Sequence, residues 1–178
     1  MLSRSNWLIL ILAIVASVIG GYVQHRDQQP VTDTTLIGRP APDISLPDLD
    51  GQPHRLADYR SRRVVLNFWA SECGPCLDEM PALNRAQKKF GERGSLVVGI
   101  AMDGPLQVRA FLAAHPMNYP ILLGQFTTPS TSLQLGDIRE VLPYSVLIDA
   151  AGQVEATHVG ALSAVQLEQW LAPVPQKP

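Results

Sequence analysis

The sequence predicts an α/β domain, and three observations lead to that prediction. An apolar run at residues 64–69 (VVLNFW), rich in β-branched and aromatic side chains, is typical of a buried central strand. The apolar spacing becomes helical after a short polar break, so a long helix follows this strand. A second buried strand at residues 95–101 comes next, and the chain ends in a hairpin and an amphipathic helix. Strands that alternate with helices in this way indicate an α/β arrangement.

Length and composition limit the remaining choices. The chain has 178 residues, of which 46% are hydrophobic and 17% charged, and this suits one domain with an extension. A formal net charge of −2 gives no electrostatic reason to expect a nucleic-acid partner. Both cysteines lie in one short motif, which excludes a disulfide-scaffold protein. Nothing in the sequence calls for a cofactor.

The N-terminal extension predicts a membrane segment. Residues 7–23 carry no charge, follow Arg4, and are at the lower limit of length for a transmembrane helix. We expect residues 1–23 to form an uncleaved anchor with a cytoplasmic N-terminus, and a cleaved signal peptide is the alternative. Residues 24–35 are polar and read as a linker, so the folded domain is expected at residues 36–173.

The elements of this domain follow from local patterns taken in order. Asp50-Gly51 is a turn signal between two short strands, which predicts a β-hairpin ahead of the core. Asp103 is expected to cap a short inserted helix, and Ser163 to cap the last helix. The expected strands are at 44–46, 53–56, 64–69, 95–101, 119–123, 144–148 and 154–159; the expected helices follow Cys76 and lie at 105–114, at 131–135 (one turn) and after Ser163.

The motif Cys73-Gly74-Pro75-Cys76 stands where the central strand gives way to the long helix. A thiol in the first turn of a helix faces unpaired N–H groups and the positive end of the helix dipole. Both favour the thiolate, which is the nucleophile in disulfide exchange. Cys73 is expected to be exposed at the helix start and Cys76 sheltered within the first turn. This assigns the attack to Cys73 and the resolution to Cys76.

Two simpler explanations of the cysteine pair are weaker. A structural zinc site needs four protein ligands, but there is no other cysteine, and the histidines are scattered without ligand spacing, at His25, His54, His115 and His158. An inert structural disulfide that closes so short a loop would stabilise the fold little.

The motif F-W-A-x-x-C-x-P-C-x-x-E-x-P, at residues 68–81, resembles the TlpA/ResA type of membrane-anchored, periplasm-facing thioredoxin-like proteins. The resemblance extends roughly over residues 36–171. It implies a thioredoxin-like fold with an N-terminal β-hairpin and a helical insertion, preceded by one transmembrane segment. It also implies a bacterial inner-membrane protein whose catalytic domain lies in the periplasm.

Two further site residues come from the resemblance. Pro143 matches the family's cis-proline, which lies opposite the cysteines and leaves a neighbouring strand edge free for a substrate chain. The alternative is an ordinary loop proline. Glu79 matches the glutamate of the motif and shares a helical face with Cys76. A half-buried carboxylate there could accept the Cys76 proton, and the alternative is a solvated glutamate.

The chain departs from related patterns at two positions. Asn67 stands where cytoplasmic thioredoxins usually carry a buried aspartate, which makes Glu79 the remaining candidate proton acceptor. The alternative is that Asn67 forms hydrogen bonds within the sheet. Glu72 replaces the tryptophan that usually precedes the first cysteine in this family. A carboxylate beside Cys73 is expected to raise the pKa of its thiol.

The predicted reaction is thiol–disulfide exchange, with the chain acting as a reductase because no histidine lies between the cysteines. The resemblance implies a membrane electron donor of the DsbD/CcdA kind and disulfide-bonded periplasmic substrates, with apocytochrome c as a candidate. The G-V-x-G-x-P-E pattern of dedicated cytochrome-maturation members is missing, because residues 140–144 read EVLPY.

A peroxiredoxin-type peroxidase would need Thr or Ser where Ala70 stands. A copper carrier would need a ligand besides the thiolates, for which Met80 is the near candidate.

Overall fold

The computed structural model of the chain describes Trp7 and residues 36–173. The predicted membrane anchor and the linker, apart from Trp7, lie outside the described residues. Within the part of the chain that is described, no helix is long and apolar enough to cross a membrane.

A five-stranded mixed sheet forms the centre of the domain. In chain order, its strands are β3 (Arg63–Trp69), β4 (Ser95–Ala101), β5 (Ile121–Leu123), β6 (Tyr144–Ile148) and β7 (Val154–Val159). Their order across the sheet is β5-β4-β3-β6-β7, with β3 to β5 parallel and β6 and β7 antiparallel to their neighbours. The central position of β3 confirms what its apolar run predicted, since a strand covered on both faces has little room for polar side chains.

The helices of the described residues include the one that begins at the cysteine motif. They are α1 (Gly74–Phe90), α2 (Pro105–Ala114), the single turn α3 (Thr131–Gln134) and α4 (Ala164–Leu171), with 3₁₀ turns at Leu56–Tyr59 and Gly91–Arg93. Ser163 caps α4 through a reciprocal pair of bonds with Gln166, which confirms the predicted cap. Leu167 and Leu171 of α4 are buried, whereas Val165 is exposed.

The two faces of the sheet carry separate apolar cores because side chains alternate along each strand. Leu66 and Phe68 of β3 point into one core, which also holds residues of the N-terminal hairpin. Val65 points into the other core, together with Leu83 of α1 and Leu167 of α4. The helix that begins at the cysteine motif is therefore held on the second face.

The predicted N-terminal hairpin is present as β1 (Ser45–Pro47) and β2 (Pro53–Arg55). Its turn is stabilised by Asp48, whose carboxylate accepts the backbone N–H groups of Asp50 and Gln52 at 2.9 Å each. A single bridge between Asp48 and Leu122 connects the hairpin to β5.

Two predictions about local structure were wrong. Asp103 does not cap α2: the N-cap residue is Gly104, without a side-chain bond, and the Asp103 carboxylate accepts the N–H of Ser71 at 2.5 Å. Pro105 occupies the first turn, where its missing N–H reduces the need for a cap. The strand expected at 119–123 is shorter, Ile121–Leu123, and the residue before it is Pro120, which has no N–H with which to extend the ladder.

Candidate active site

The cysteine motif begins α1 at the carboxyl end of β3. Cys73 is the N-cap residue, and its sulfur accepts the N–H of Cys76 at 3.3 Å. The two cysteines are joined by a disulfide. Cys73 is half-buried and Cys76 is fully buried, which agrees with the expected difference in access between them. A reactant from solvent can thus approach the sulfur of Cys73 more readily than that of Cys76.

The polar break between β3 and α1 is fixed by its neighbours. The N–H of Cys73 donates to the carbonyl of Ala70 at 3.2 Å, which closes a turn, and Asp103 accepts the N–H of Ser71. The N–H of Met102 donates to the carbonyl of Trp69 at 2.8 Å and extends the pairing of β3 with β4. These bonds position Cys73 at the edge of the sheet where β3, β4 and β5 end.

An apolar cluster surrounds the buried sulfur. Its fully or nearly fully buried members are Trp69, Cys76, Met80, Ala101 and Val108. The Trp69 ring packs on the Phe111 ring of α2, with 5.0 Å between their centroids. The inserted helix α2 therefore shields Cys76 from water.

Glu79 is buried more deeply than its predicted half-buried position, with 3% of its surface exposed. One carboxylate oxygen accepts the Asn67 amino group at 2.7 Å, and the other accepts the N–H of Leu162 at 2.6 Å. Burial raises the pKa of Glu79 above its usual value, and the two hydrogen bonds oppose that rise. A carboxyl group with a raised pKa, on the same helix and three residues after Cys76, has the properties of a proton acceptor.

Asn67 belongs to this site, and the sequence analysis predicted hydrogen bonding within the sheet but not the bond to Glu79. Its amino group also donates to the Ser145 hydroxyl of β6 at 3.1 Å. The available signal was the alternation along β3, which puts Asn67 on the same face as Val65 and Trp69, under α1. That signal gives the face of the sheet but not the pairing with Glu79.

Pro143 is buried, and the peptide bond that precedes it is cis, as the resemblance implied. The preceding Leu142 packs on the apolar cluster around the cysteines. The carbonyl of Pro143 accepts the N–H of Gly160 at 2.8 Å, so that carbonyl is already paired within the domain. The segment before Pro143 therefore lies beside the cysteine pair.

Glu72 is exposed, so water surrounds the carboxylate that precedes Cys73. Among the described residues, no three His, Cys, Asp or Glu side chains come together as a metal site. The site accordingly consists of the cysteine pair, the buried carboxyl group of Glu79 with its two donors, and the Pro143 segment.

Comparison with known proteins gives concordant results. Residues 37–157 match the AhpC/TSA family. Thiol-disulfide oxidoreductase ResA of Geobacillus kaustophilus (strain HTA426) is 29% identical over 163 residues, which cover 91% of this chain and 90% of ResA. The thioredoxin-like protein YneN of Bacillus subtilis (strain 168) is 30% identical over 169 residues, covering 93% and 96% of the two chains.

A solved structure agrees with these sequence matches. The thiol:disulfide interchange protein of the thioredoxin family from Chlorobium tepidum TLS superposes with a TM-score of 0.62 and 28% identity, covering 74% of this chain and 92% of that one. The thioredoxin-like α/β fold predicted from the motif is thus confirmed. The chain belongs to the AhpC/TSA family and is a thioredoxin-like thiol–disulfide oxidoreductase of the TlpA/ResA type.

Proposed function

We propose that the chain reduces disulfides of partner proteins in the bacterial periplasm, with Cys73 as nucleophile and Cys76 as resolving cysteine. The observation that carries this proposal is the difference in access between the two sulfurs at the start of α1. A partner's disulfide can reach Cys73 at the helix N-terminus, whereas Cys76 reacts only with a sulfur already bound to Cys73.

The exchange runs in two balanced steps. The Cys73 thiolate attacks one sulfur of the partner's disulfide, a mixed disulfide forms, and the partner's other sulfur leaves as a thiolate. The Cys76 thiolate then attacks the sulfur of Cys73, which forms the Cys73–Cys76 disulfide and releases the second partner thiolate. Two electrons pass from the cysteine pair to the partner.

Glu79 accepts the proton of Cys76 before the second step. A buried thiol is a poor nucleophile, and its pKa is raised by apolar surroundings such as those around Cys76. Glu79 is buried on the same helix, and its raised pKa brings proton transfer from a thiol closer to balance. Pro143 and the segment before it provide the surface on which the partner's chain docks beside Cys73.

The oxidised pair must be reduced again for a further cycle. The family resemblance supports a membrane electron donor of the DsbD/CcdA kind, and an N-terminal anchor would keep the domain near such a donor. Apocytochrome c is a candidate substrate, and the missing G-V-x-G-x-P-E pattern weighs against a dedicated role in cytochrome c maturation.

Trapping of mixed disulfides tests the proposed order of attack. The Cys76→Ser variant should accumulate covalent complexes with disulfide-bonded partners, which a reducing agent releases. The Cys73→Ser variant is the matched control and should accumulate none. Complexes formed by Cys73→Ser instead would reverse the roles of the two cysteines.

A topology experiment tests the location. A reporter fused after Lys177 should be active only outside the cytoplasm, and the full-length chain should remain with membranes after an alkaline wash. Reporter activity in the cytoplasm would contradict the periplasmic proposal. A shortened, soluble form of the protein would show that the N-terminal segment is a cleaved signal peptide and not an anchor.

A further inference from the structure

The loop between α3 and β6 carries the segment that ends at Pro143. This loop, residues 135–143, is fixed at both of its ends. Leu135 is fully buried, and its carbonyl accepts the hydroxyl of the buried Tyr144 at 3.0 Å, which holds the start of the loop in the first core. Near the other end, Leu142 packs on the apolar cluster around the cysteines. The path of the chain between these two points decides what is presented beside the cysteine pair.

Asp137 lies in the middle of this loop and binds the part that leads to Pro143. Its backbone carbonyl accepts the N–H of Glu140 at 3.0 Å, and its carboxylate accepts the N–H of Val141 at 3.2 Å. The two bonds enclose Glu140, whose backbone is in the left-handed region with a φ of 49°. A residue with a side chain rarely adopts this conformation, so the surrounding structure must hold it there. Asp137 therefore determines the direction in which Val141 and Leu142 leave the turn.

Asp137 differs from two other turn-stabilising aspartates because it is buried. Only 1% of its surface is exposed, and one of its carboxylate oxygens has no partner among the described residues. Asp48 and Asp149 also accept backbone N–H groups, but both remain partly exposed. Burial raises the pKa of the Asp137 carboxyl group, and the Val141 N–H and the Ser132 hydroxyl oppose that rise. A buried carboxyl group costs stability, and the other two turns form without that cost.

We propose that Asp137 is a positioning residue for partner binding: its carboxylate fixes Val141 and the adjoining Leu142 in the conformation on which the partner's chain docks beside Cys73. It acts through the backbone N–H of Val141 rather than on the sulfurs. Val141 is 45% exposed and Leu142 packs on the cluster around the cysteines, so the segment offers an apolar side chain to a partner and is anchored at its base. The inference rests on the proposed function, because docking of a partner's chain is part of that proposal.

The test compares a protein disulfide with a small one. The reduced full-length chain reacts with insulin, whose disulfides require docking of a polypeptide, and with dithiobis(nitrobenzoate), a small aromatic disulfide that reaches Cys73 without such docking. The quantity to follow is the ratio of the two second-order rate constants, insulin over the small disulfide, measured by alkylation of the remaining thiols. In Asp137→Ala this ratio should fall by about three- to tenfold, the range expected for a lost hydrogen bond. Asp137→Asn keeps an acceptor oxygen and should recover most of the loss.

Asp149→Ala is the matched control. Asp149 accepts the N–H groups of Ala151 and Gln153 at 2.9 and 2.8 Å in the turn between β6 and β7. Its replacement therefore also loosens a turn, but it leaves the loop before Pro143 intact, and the ratio should remain that of wild type. An unchanged ratio in Asp137→Ala, or an equal fall in both alanine variants, would show that Asp137 has only a structural role and would overturn the proposal.

Hydrogen exchange tests the same bond in wild type and does not depend on the folding of a variant. The amide of Val141 should exchange at least about tenfold more slowly than in an unstructured peptide, although residues 138–141 are exposed. Exchange at the unstructured rate would overturn the proposal. If wild type reduces the small disulfide but not insulin, the proposed function fails and the role of Asp137 fails with it. If wild type reduces insulin and Asp137→Ala keeps the wild-type ratio, only the role of Asp137 fails.

Discussion

The hydrogen bond from Asn67 to Glu79 allows a quantitative prediction. The Asn67→Ala variant removes the amino group that lies 2.7 Å from the carboxylate and leaves the bond from the Leu162 backbone in place. A hydrogen bond to a charged group contributes about 1.5–3 kcal/mol. One pKa unit corresponds to about 1.4 kcal/mol. The pKa of Glu79 should therefore rise by about one to two units in this variant.

The higher pKa of Glu79 in Asn67→Ala is expected to change the pH dependence of the reaction. In the proposed role Glu79 accepts a proton only when it is ionised, so a higher pKa moves the rising limb of the pH–rate profile to higher pH. The step to follow is the release of a small aromatic thiol from a mixed disulfide with Cys73, in a single turnover driven by Cys76. The apparent pKa of this release should increase by about one to two units in Asn67→Ala.

Ser145→Ala supplies the control. It removes the other partner of the same Asn67 amino group, at 3.1 Å, but leaves the contact with Glu79 intact. Its profile should move by less than about half a unit, since only a neutral hydrogen bond is lost. A profile that is identical in wild type and Asn67→Ala would refute the reasoning, because the bond would then have no influence on the group that accepts the proton.

Three further predictions concern other parts of the domain. Glu72→Trp should lower the pKa of Cys73 by about half a unit, measured by thiolate absorbance on a Cys76→Ser background; an unchanged or higher pKa would show that Glu72 points into solvent and matters at most for partner docking. Because burial raises the pKa of Glu79, its contribution to stability is complete below its unfolded pKa of about 4.3 and is lost as pH rises through its folded pKa. Urea unfolding should therefore show wild type losing stability relative to Glu79→Gln over that window, and parallel curves would contradict this. Ser163→Ala should cost about 1 kcal/mol in urea unfolding through loss of the helix cap, and no change would mean that the cap is dispensable.

The strands of the core could be predicted because their signals are local. The apolar run of β3 follows two arginines and that of β4 follows Gly94 and Ser95, and the observed limits of both strands differ from the prediction by at most one residue. The prediction that Asp103 caps α2 was wrong although an aspartate shortly before Pro105 is a good local cap candidate. Its carboxylate accepts the N–H of Ser71 instead. Ser71 lies 32 residues before Asp103, so a local stretch of sequence around α2 does not contain it.

The residues of the candidate site also divide into those that the local sequence predicts and those that it does not. Cys73 and Cys76 were predicted from the local motif, and Glu79 from the family resemblance together with its position three residues after Cys76 on the same helix. The donors to the carboxylate and its network come from distant parts of the chain: Leu162 is 83 residues from Glu79, and Ser145 is 78 residues from Asn67. Contacts over such separations depend on the sheet order and register, which a single sequence does not state.

The identities of residues 67 and 79 are coupled by the geometry of the site. Their side chains are in hydrogen-bond contact at 2.7 Å in a place from which water is excluded, so two carboxylates there could not both be ionised. An aspartate at 67, as in cytoplasmic thioredoxins, would compete with Glu79 for a single negative charge. Asparagine instead offers an amino group, which lowers the pKa of Glu79 against the effect of burial. With asparagine at position 67, the buried acid of the site is Glu79 on the helix rather than an aspartate on the strand, and it can still ionise.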